Sequence, residues 1–512
     1  MALRSLCAVA LFSIPLFGQL IDQTMAPNLA GEGIKKSLNE QIGAGRGDWS
    51  TPNSSSFIIA RDPFRAIRRG RQLFQRKFQR RDGSGPYARD GSGDIAADNG
   101  IGAGSTDSCS SCHGRPRGSA GFGGDVATRP DSRDAPHLFG LGLKEMLADE
   151  ITAELRDWLR LATIEATLTK AAVVKPLTSK GISYGRITVR PDLVVDTSEV
   201  IGVDADLRVR PFFHHGGTIS IREFVIGAMN AEMGFQCVDP ELTAAAKGGR
   251  MVTLSGMTLD GKLDKLESPP VTEARNQMAT PIIDYLEFYL LNYFKPAVYK
   301  ETAESKLGRT TMDRIGCTSC HVADLQIDRD RRVADVETAY DTERGNMNNL
   351  FSTAALRLIT SPLDSSGFAA VKGPSLQPFL VKNIFTDFRR HDVGPGFHER
   401  NYDGTTRKEM MTTALWGLGS TGPYGHDGRS INLHEVILRH GGEAQGSRDA
   451  YAGLATAEQR NLQDFLQTLI LFPPDDTASN LDPGDRKAAD YPQVRHGSIR
   501  LTTLFNAPAD IE

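Results

Sequence analysis

Apolar positions recur at helical spacing in several segments of this 512-residue chain. Leu433, Val436, Ile437 and His440 follow the i, i+3, i+4, i+7 rule that lines four side chains along one helix face. Ile221, Phe224, Val225 and Ala228 form the same stripe in the first half. A capping pair opens each stripe, Ser220 with Glu223 and Asn432 with Glu435, satisfying free N–H groups of the first turn. Glu223 and Glu435 are therefore read as caps, not catalysts. Another helix runs from Thr456, with Leu462, Phe465, Leu466 and Leu469 on one face, and Pro473-Pro474 ends it. Further helices are predicted over 70–78, from Leu143 to about Ala171, and from Pro281 to about Phe294, the last stopped by Pro296. Residues 173–210 instead alternate, with Val, Ile and Thr between Gly and Pro breaks, which predicts a few short strands. Asp82-Gly83-Ser84-Gly85 and Asp90-Gly91-Ser92-Gly93 mark a flexible loop.

An apolar run, Leu6 to Phe17, follows Arg4 and ends near Gly18. It is too short to span a bilayer well and reads as a secretory signal. Cys7 lies within it and leaves with it. The organisation expected is a signal peptide at 1–19, a loose leader at 20–59, an N-terminal domain at 60–296, a C-terminal domain at 297–475 and a polar tail at 476–512. Charge adds little to this picture. Lys and Arg number 59 against 63 Asp and Glu, which argues against bulk nucleic-acid binding. One local exception, Arg61 to Arg81, carries eight cations between Arg65 and Arg81, and reads as a solvated helix face rather than a docking patch.

The chemistry lies in two copies of Cys-x-x-Cys-His: Cys109-Ser110-Ser111-Cys112-His113 and Cys317-Thr318-Ser319-Cys320-His321, set 208 positions apart. This spacing is that of c-type haem attachment, in which each thiol bonds a vinyl group and the following His turns onto the iron. Two such motifs among six cysteines predict two covalently bound haem c groups, held by Cys109, Cys112, Cys317 and Cys320, with His113 and His321 as proximal ligands. Covalent haem attachment occurs outside the cytoplasm in Gram-negative bacteria, so the signal and the motifs agree on the periplasm. Cys237 is left without a haem role and without a disulfide partner, and reads as a small buried side chain. The predicted fold class is mainly α: two cytochrome c-like haem domains in tandem, with a small β-containing insertion in the first.

The halves also repeat each other. His137-Leu138-Phe139-Gly140-Leu141-Gly142 answers Ala414-Leu415-Trp416-Gly417-Leu418-Gly419, and His214-His215-Gly216-Gly217 to Glu223 answers His426-Asp427-Gly428-Arg429 to Glu435. Each of these second elements begins about a hundred residues after the motif histidine. His440 closes its apolar stripe, so its imidazole needs a partner, either the second iron or a backbone carbonyl. Ala228 falls where His440 falls, and alanine cannot ligate iron. If the repeat holds and iron is that partner, the second haem carries a ligand on both faces and the first keeps an open one. Glu232, four residues beyond Ala228, either serves that open face as an acid–base group or is a surface carboxylate.

These motifs resemble the di-haem c-type peroxidase superfamily, and more closely its di-haem oxidoreductase branch, over most of residues 60–470. The strongest pieces are Thr386 to Gly394, Leu415 to Gly419, and His426 to Arg429 continuing to His440-Gly441-Gly442-Glu443-Ala444, with Leu207 to Phe213 and Asn230 to Gly234 adding to them. The resemblance implies peroxide reduction at the first haem and electron relay through the second. It implies a small oxidant such as hydrogen peroxide and an electron-donor protein or quinol system as partners, and no stable membrane span after signal removal. Glu232-Met233 matches the Glu-Met pair whose Glu serves the peroxidatic haem, and Arg429 is placed to pair with a haem propionate. The peroxidases have Met where His440 stands, so the second haem should have a lower potential here. They also place Trp between the haems, at the slot of His214. His137 and His391 are further candidates for distal ligands. A non-catalytic di-haem electron carrier is the alternative reading.

Overall fold

The structure, a computed structural model, describes residues 37–82, 106–113, 133–235, 237–268, 278–293, 297–335, 338–341, 345–348, 355–361, 368, 370–401, 403–471, 487 and 489. The signal at 1–19, the leader before Ser37, residues 83–93 of the Gly-rich stretch and nearly all of the tail at 476–512 lie outside them.

The described part of the 20–59 leader is not loose. Ser37 caps a short helix, Leu38–Ile42, and Ser54 caps a second, Ser55–Arg61, through hydrogen bonds to Glu40 N and Phe57 N. Phe57 and Ile58 are buried in the first core. Helices of five and seven residues carry too few turns for a periodic signal. The following helix, Pro63–Gln75, starts earlier than Gly70 because Asp62 caps it and Pro63 occupies its first turn. It packs on Thr280–Asn292, and a Cβ at Gly70 would fall on the carbonyl oxygen of Tyr285. Glycine thus lets the two backbones touch.

This helix also overturns the solvated-face reading of the basic stretch. Arg61, Arg65, Arg68, Arg69 and Arg71 are all buried. Arg69 donates to the Tyr285 hydroxyl (2.9 Å) and Arg61 donates to the Trp49 carbonyl (2.9 Å). The Arg61 guanidinium lies over the Trp49, Phe57 and Phe368 rings, at 5.2, 5.4 and 5.4 Å. Long aliphatic stems and planar heads let these arginines serve as core.

Helix Leu141–Thr169 crosses Thr280–Asn292 at Gly142 and continues into a second core. There it meets an antiparallel sheet of Val173–Ser179, Ile182–Val189 and Val195–Asp196, the strands expected within 173–210. Leu155, Ala162, Leu177 and Tyr184 share this core with Leu325, Ile327, Val381, Phe388 and Trp416. The division set at 296 therefore does not separate the cores, since side chains from both sides fill one of them. Beyond it, Ala303–Arg314 packs on Thr456–Gln467, where Gly308 abuts the Asn461 carbonyl. Leu469–Ile470 pairs with Ala297–Val298.

The mainly-α expectation needs correction. Among the described residues the structure is mixed, 41% helix and 16% strand. Between Leu325 and Met411 the described residues form six two-stranded pairs, among them Leu325–Ile327 with Phe379–Val381 and Arg390–Asp392 with Glu409–Met411. Strands of two to four residues are too short for a period-2 pattern, and only their partners across the fold define them. No described helix is long and apolar enough to cross a membrane.

Candidate functional site

A cavity of about 510 Å³ opens beside the first motif, within the usual size for a bound organic group. Residues Cys109–His113 form one helical turn and a half. Helical spacing places Cys109 and Cys112 on one side, and both line the cavity with His113. The His113 ring donates from Nδ1 to the Pro136 carbonyl (2.7 Å), which fixes the tautomer and leaves the Nε2 lone pair free. Burial holds its pKa below the usual range, so the ring is neutral, as a metal ligand must be.

Another part of the wall is helix Ile221–Ala231, whose Phe224 ring lies 6.4 Å from that of His113. Ser220 accepts from Glu223 N, but the Glu223 carboxylate accepts from the Ser220 hydroxyl and Glu267 N rather than from Ser220 N, so only the serine half of the expected capping pair forms. In the other half Asn432 accepts from Glu435 N, and the Glu435 carboxylate accepts from Ile431 N. Ala228 lines the cavity where the helix faces it, and Glu232, the C-terminal cap, lines it one turn later. The structure thus brings Glu232 to the same cavity as Cys109, Cys112 and His113.

At the second motif Cys317–Ser319 form a 3-10 turn behind Gly316, whose φ of 82° suits glycine. His321 donates from Nδ1 to the Phe385 carbonyl (3.0 Å), the arrangement seen at His113. Burial, and then the neighbouring charge of His440 among smaller causes, takes its pKa down to about 4. His440 is the C-terminal cap of Leu433–Arg439 and donates from Nδ1 to the Val436 carbonyl (2.7 Å). The two partners considered for His440 are therefore compatible: the carbonyl takes Nδ1 and Nε2 stays free. Of its stripe only Leu433 is fully buried, while Val436, Ile437 and His440 are partly exposed.

The other sequence candidates fare differently. His391 has both nitrogens engaged, Nδ1 with Glu443 (2.8 Å) and Nε2 with Asp387 (2.9 Å). Burial opposes its charge, but the hydrogen bonds to Asp387, Cys320 and Glu443 prevail and hold its pKa up to about 10. An imidazolium has no lone pair, so His391 is not a distal ligand. For the same reason its proximity to Cys320 and Asp387, within 4.8 Å of each other, does not make a metal site. His137 lines the first cavity, with Nε2 donating to the Trp416 carbonyl (3.0 Å). Burial drives its pKa down to about 3, and its buried Nδ1 makes no hydrogen bond. Arg429 is exposed and pairs with Asp427 (3.3 Å), while Arg439 takes the buried position on that carboxylate. Cys237 is fully buried, as expected for a small core side chain.

Three features escaped the sequence reading. Asp134 is buried on the wall of the first cavity, and burial pushes its carboxyl up to about 7. Lys144 faces the same cavity. A run of rings joins the two sites: His214 on the cavity wall lies 5.3 Å from His426, His426 lies 6.3 Å from Phe397, and Phe397 lies 5.0 Å from His440. Only the repeat pairing His214 with His426 could have hinted at that contact.

Residues 365–469 match the model of the family described as "Di-haem oxidoreductase, putative peroxidase", the family that the sequence resembles. No curated protein matches the chain. Among solved structures, a chain of Kuenenia stuttgartiensis hydrazine synthase pressurized with xenon aligns at 16% identity and a TM-score of 0.23. The alignment covers 39% of this chain and 58% of that one, a likeness too slight to argue fold or function.

Proposed function

We propose that the chain is a periplasmic di-haem c-type oxidoreductase that reduces hydrogen peroxide, or another small oxidant, at the first site with electrons relayed through the second. The observation that carries this reading is the asymmetry of two otherwise matching sites. Both motif histidines spend Nδ1 on a carbonyl and keep Nε2 for iron. A third histidine, His440, has the same polarity beside the second site. The repeat sets Ala228 in the corresponding place, on the wall of the first cavity and one turn from Glu232.

Bound haem would supply the redox chemistry, and overall peroxide, two electrons and two protons give two waters. The residues supply the rest. Cys109 and Cys112 tether the group through thioethers and His113 orients it; Cys317, Cys320, His321 and His440 do so at the second site. Glu232 takes a proton from one peroxide oxygen and returns it to the other as the O–O bond breaks. The His214–His426–Phe397 rings, with centroids 5.3 and 6.3 Å apart, offer a path from the cavity to His440. Electrons enter from a donor protein or quinol system.

Optical and electron paramagnetic resonance spectra of the purified mature protein test this reading. One high-spin haem that binds cyanide beside one low-spin bis-histidine haem is the expected result. Two low-spin haems that bind neither cyanide nor peroxide would leave an electron carrier.

A further inference from the structure

The first cavity contains a cation, Lys144, that has no counter-ion among the described residues. Lys144 sits in the first turn of the 29-residue helix Leu141–Thr169, where a positive side chain opposes the helix dipole, so it is not there to stabilise the helix. Its ammonium points over the Trp416 ring at 5.9 Å and makes no ion pair among the described residues. The other charges on that wall do not answer it. Arg133 is already paired, bidentate, with buried Glu399. Asp134 and Glu232 line the cavity without reaching Lys144 in an ion pair, and His137 and His214 are kept neutral by burial. A partly buried ammonium without an anion is stabilised when the occupant of the cavity brings the charge. Burial takes the Lys144 amine down to about 8, the direction expected for a cation lacking its partner.

We propose that Lys144 anchors a carboxylate of the group that occupies the first cavity. This rests on the haem reading above, under which the carboxylate is a propionate and Lys144 fixes the orientation of the macrocycle and part of its potential. A carboxylate arriving from solution is the other source of the same chemistry.

The test uses the purified holoprotein with Lys144→Met and Lys144→Arg. Midpoint potentials of both haems are measured spectroelectrochemically without substrate, and acetate binding is measured by calorimetry. With a propionate on Lys144, the methionine variant shifts the first haem to more negative potential, because loss of a nearby cation favours the ferric form. The arginine variant restores the wild-type value and the second haem does not move. Unmoved potentials with acetate binding lost in the methionine variant support the anchor and assign its carboxylate to solution. Unchanged potentials together with unchanged acetate binding overturn the inference. A mature protein without covalently bound haem, read from its pyridine haemochrome, would instead sink the haem reading, and the acetate titration would still decide the role of Lys144.

Discussion

The two Cys-x-x-Cys-His sites share a tautomer and differ in what faces them. His113 and His321 each give Nδ1–H to a carbonyl, from Pro136 and Phe385. Each site lies near a capped helix from the same repeat, opened by Ser220 or Asn432. At the fourth position of the stripe, one helix carries Ala228 and the other His440. A methyl group leaves room and an imidazole fills it. Under the proposed function, the difference between a place to react and a place to pass charge rests on one side chain of the repeat. Nearby charge differs in parallel. His391 beside Cys320 is held as a cation by two carboxylates, whereas His137 in the first cavity is neutral.

The most severe way to break the comparison is to remove a motif histidine. His321→Ala or Cys317→Ala is expected to abolish the fold of the C-terminal half as well as its haem, because Cys317 packs at the edge of the core of Met312, Leu433, Tyr451, Leu462 and Phe465. Circular dichroism and limited proteolysis check this, and a well-folded haem-free variant would contradict it. Next comes Glu232→Gln, which should keep both haems and slow peroxide turnover by roughly two to four orders of magnitude. Stopped-flow assays read the effect, and turnover near wild type would return Glu232 to a surface role. Exchanging the distinguishing side chains sharpens the contrast further. Ala228→His should convert the first haem to a low-spin form that no longer binds cyanide, and His440→Ala should open the second. If Ala228→His leaves the high-spin signal intact, the structural repeat does not extend to ligation.

Much of this contrast is legible in the sequence, because it rests on local signals. Cys-x-x-Cys-His, the helix caps Ser220 and Asn432 and the i, i+3, i+4, i+7 stripes each need only a few adjacent residues. The three strands within 173–210 were legible because Val173–Ser179 and Ile182–Val189 are long enough to alternate. What could not be read depends on distant partners. Arg65, Arg68, Arg69 and Arg71 look like a wet face until Tyr285 and the surrounding rings are brought to them. His391 looks like a free ligand until Asp387 and Glu443 take both nitrogens. The shared second core, from Leu155 to Trp416, exists only in three dimensions, and so a boundary drawn at a proline divides elements but not packing.

A smaller effect is expected from His440→Met. Thioether ligation raises a haem's potential, so the second haem should shift positive and gain a weak sulfur-to-iron band, while the first stays put. An unchanged spectrum would remove His440 as a ligand and with it the asymmetry.

The subtlest test uses pH, and the two flanking histidines should respond with opposite sign. His391 has a native pKa of about 10, above the ordinary 6.5. Its native state binds the extra proton, so its stabilising contribution is full below pH 6.5 and is lost as pH rises towards 10. His137 has a native pKa of about 3. There the unfolded chain binds the extra proton, so its effect is absent above pH 6.5 and grows destabilising as pH falls towards 3. Denaturant titrations of His391→Gln and His137→Gln across pH 4 to 10 separate the two. The first variant should flatten the alkaline loss of stability and the second the acidic loss. If both variants instead parallel the wild type, the charge difference between the sites does not exist in solution, and the contrast reduces to Ala228 against His440 alone.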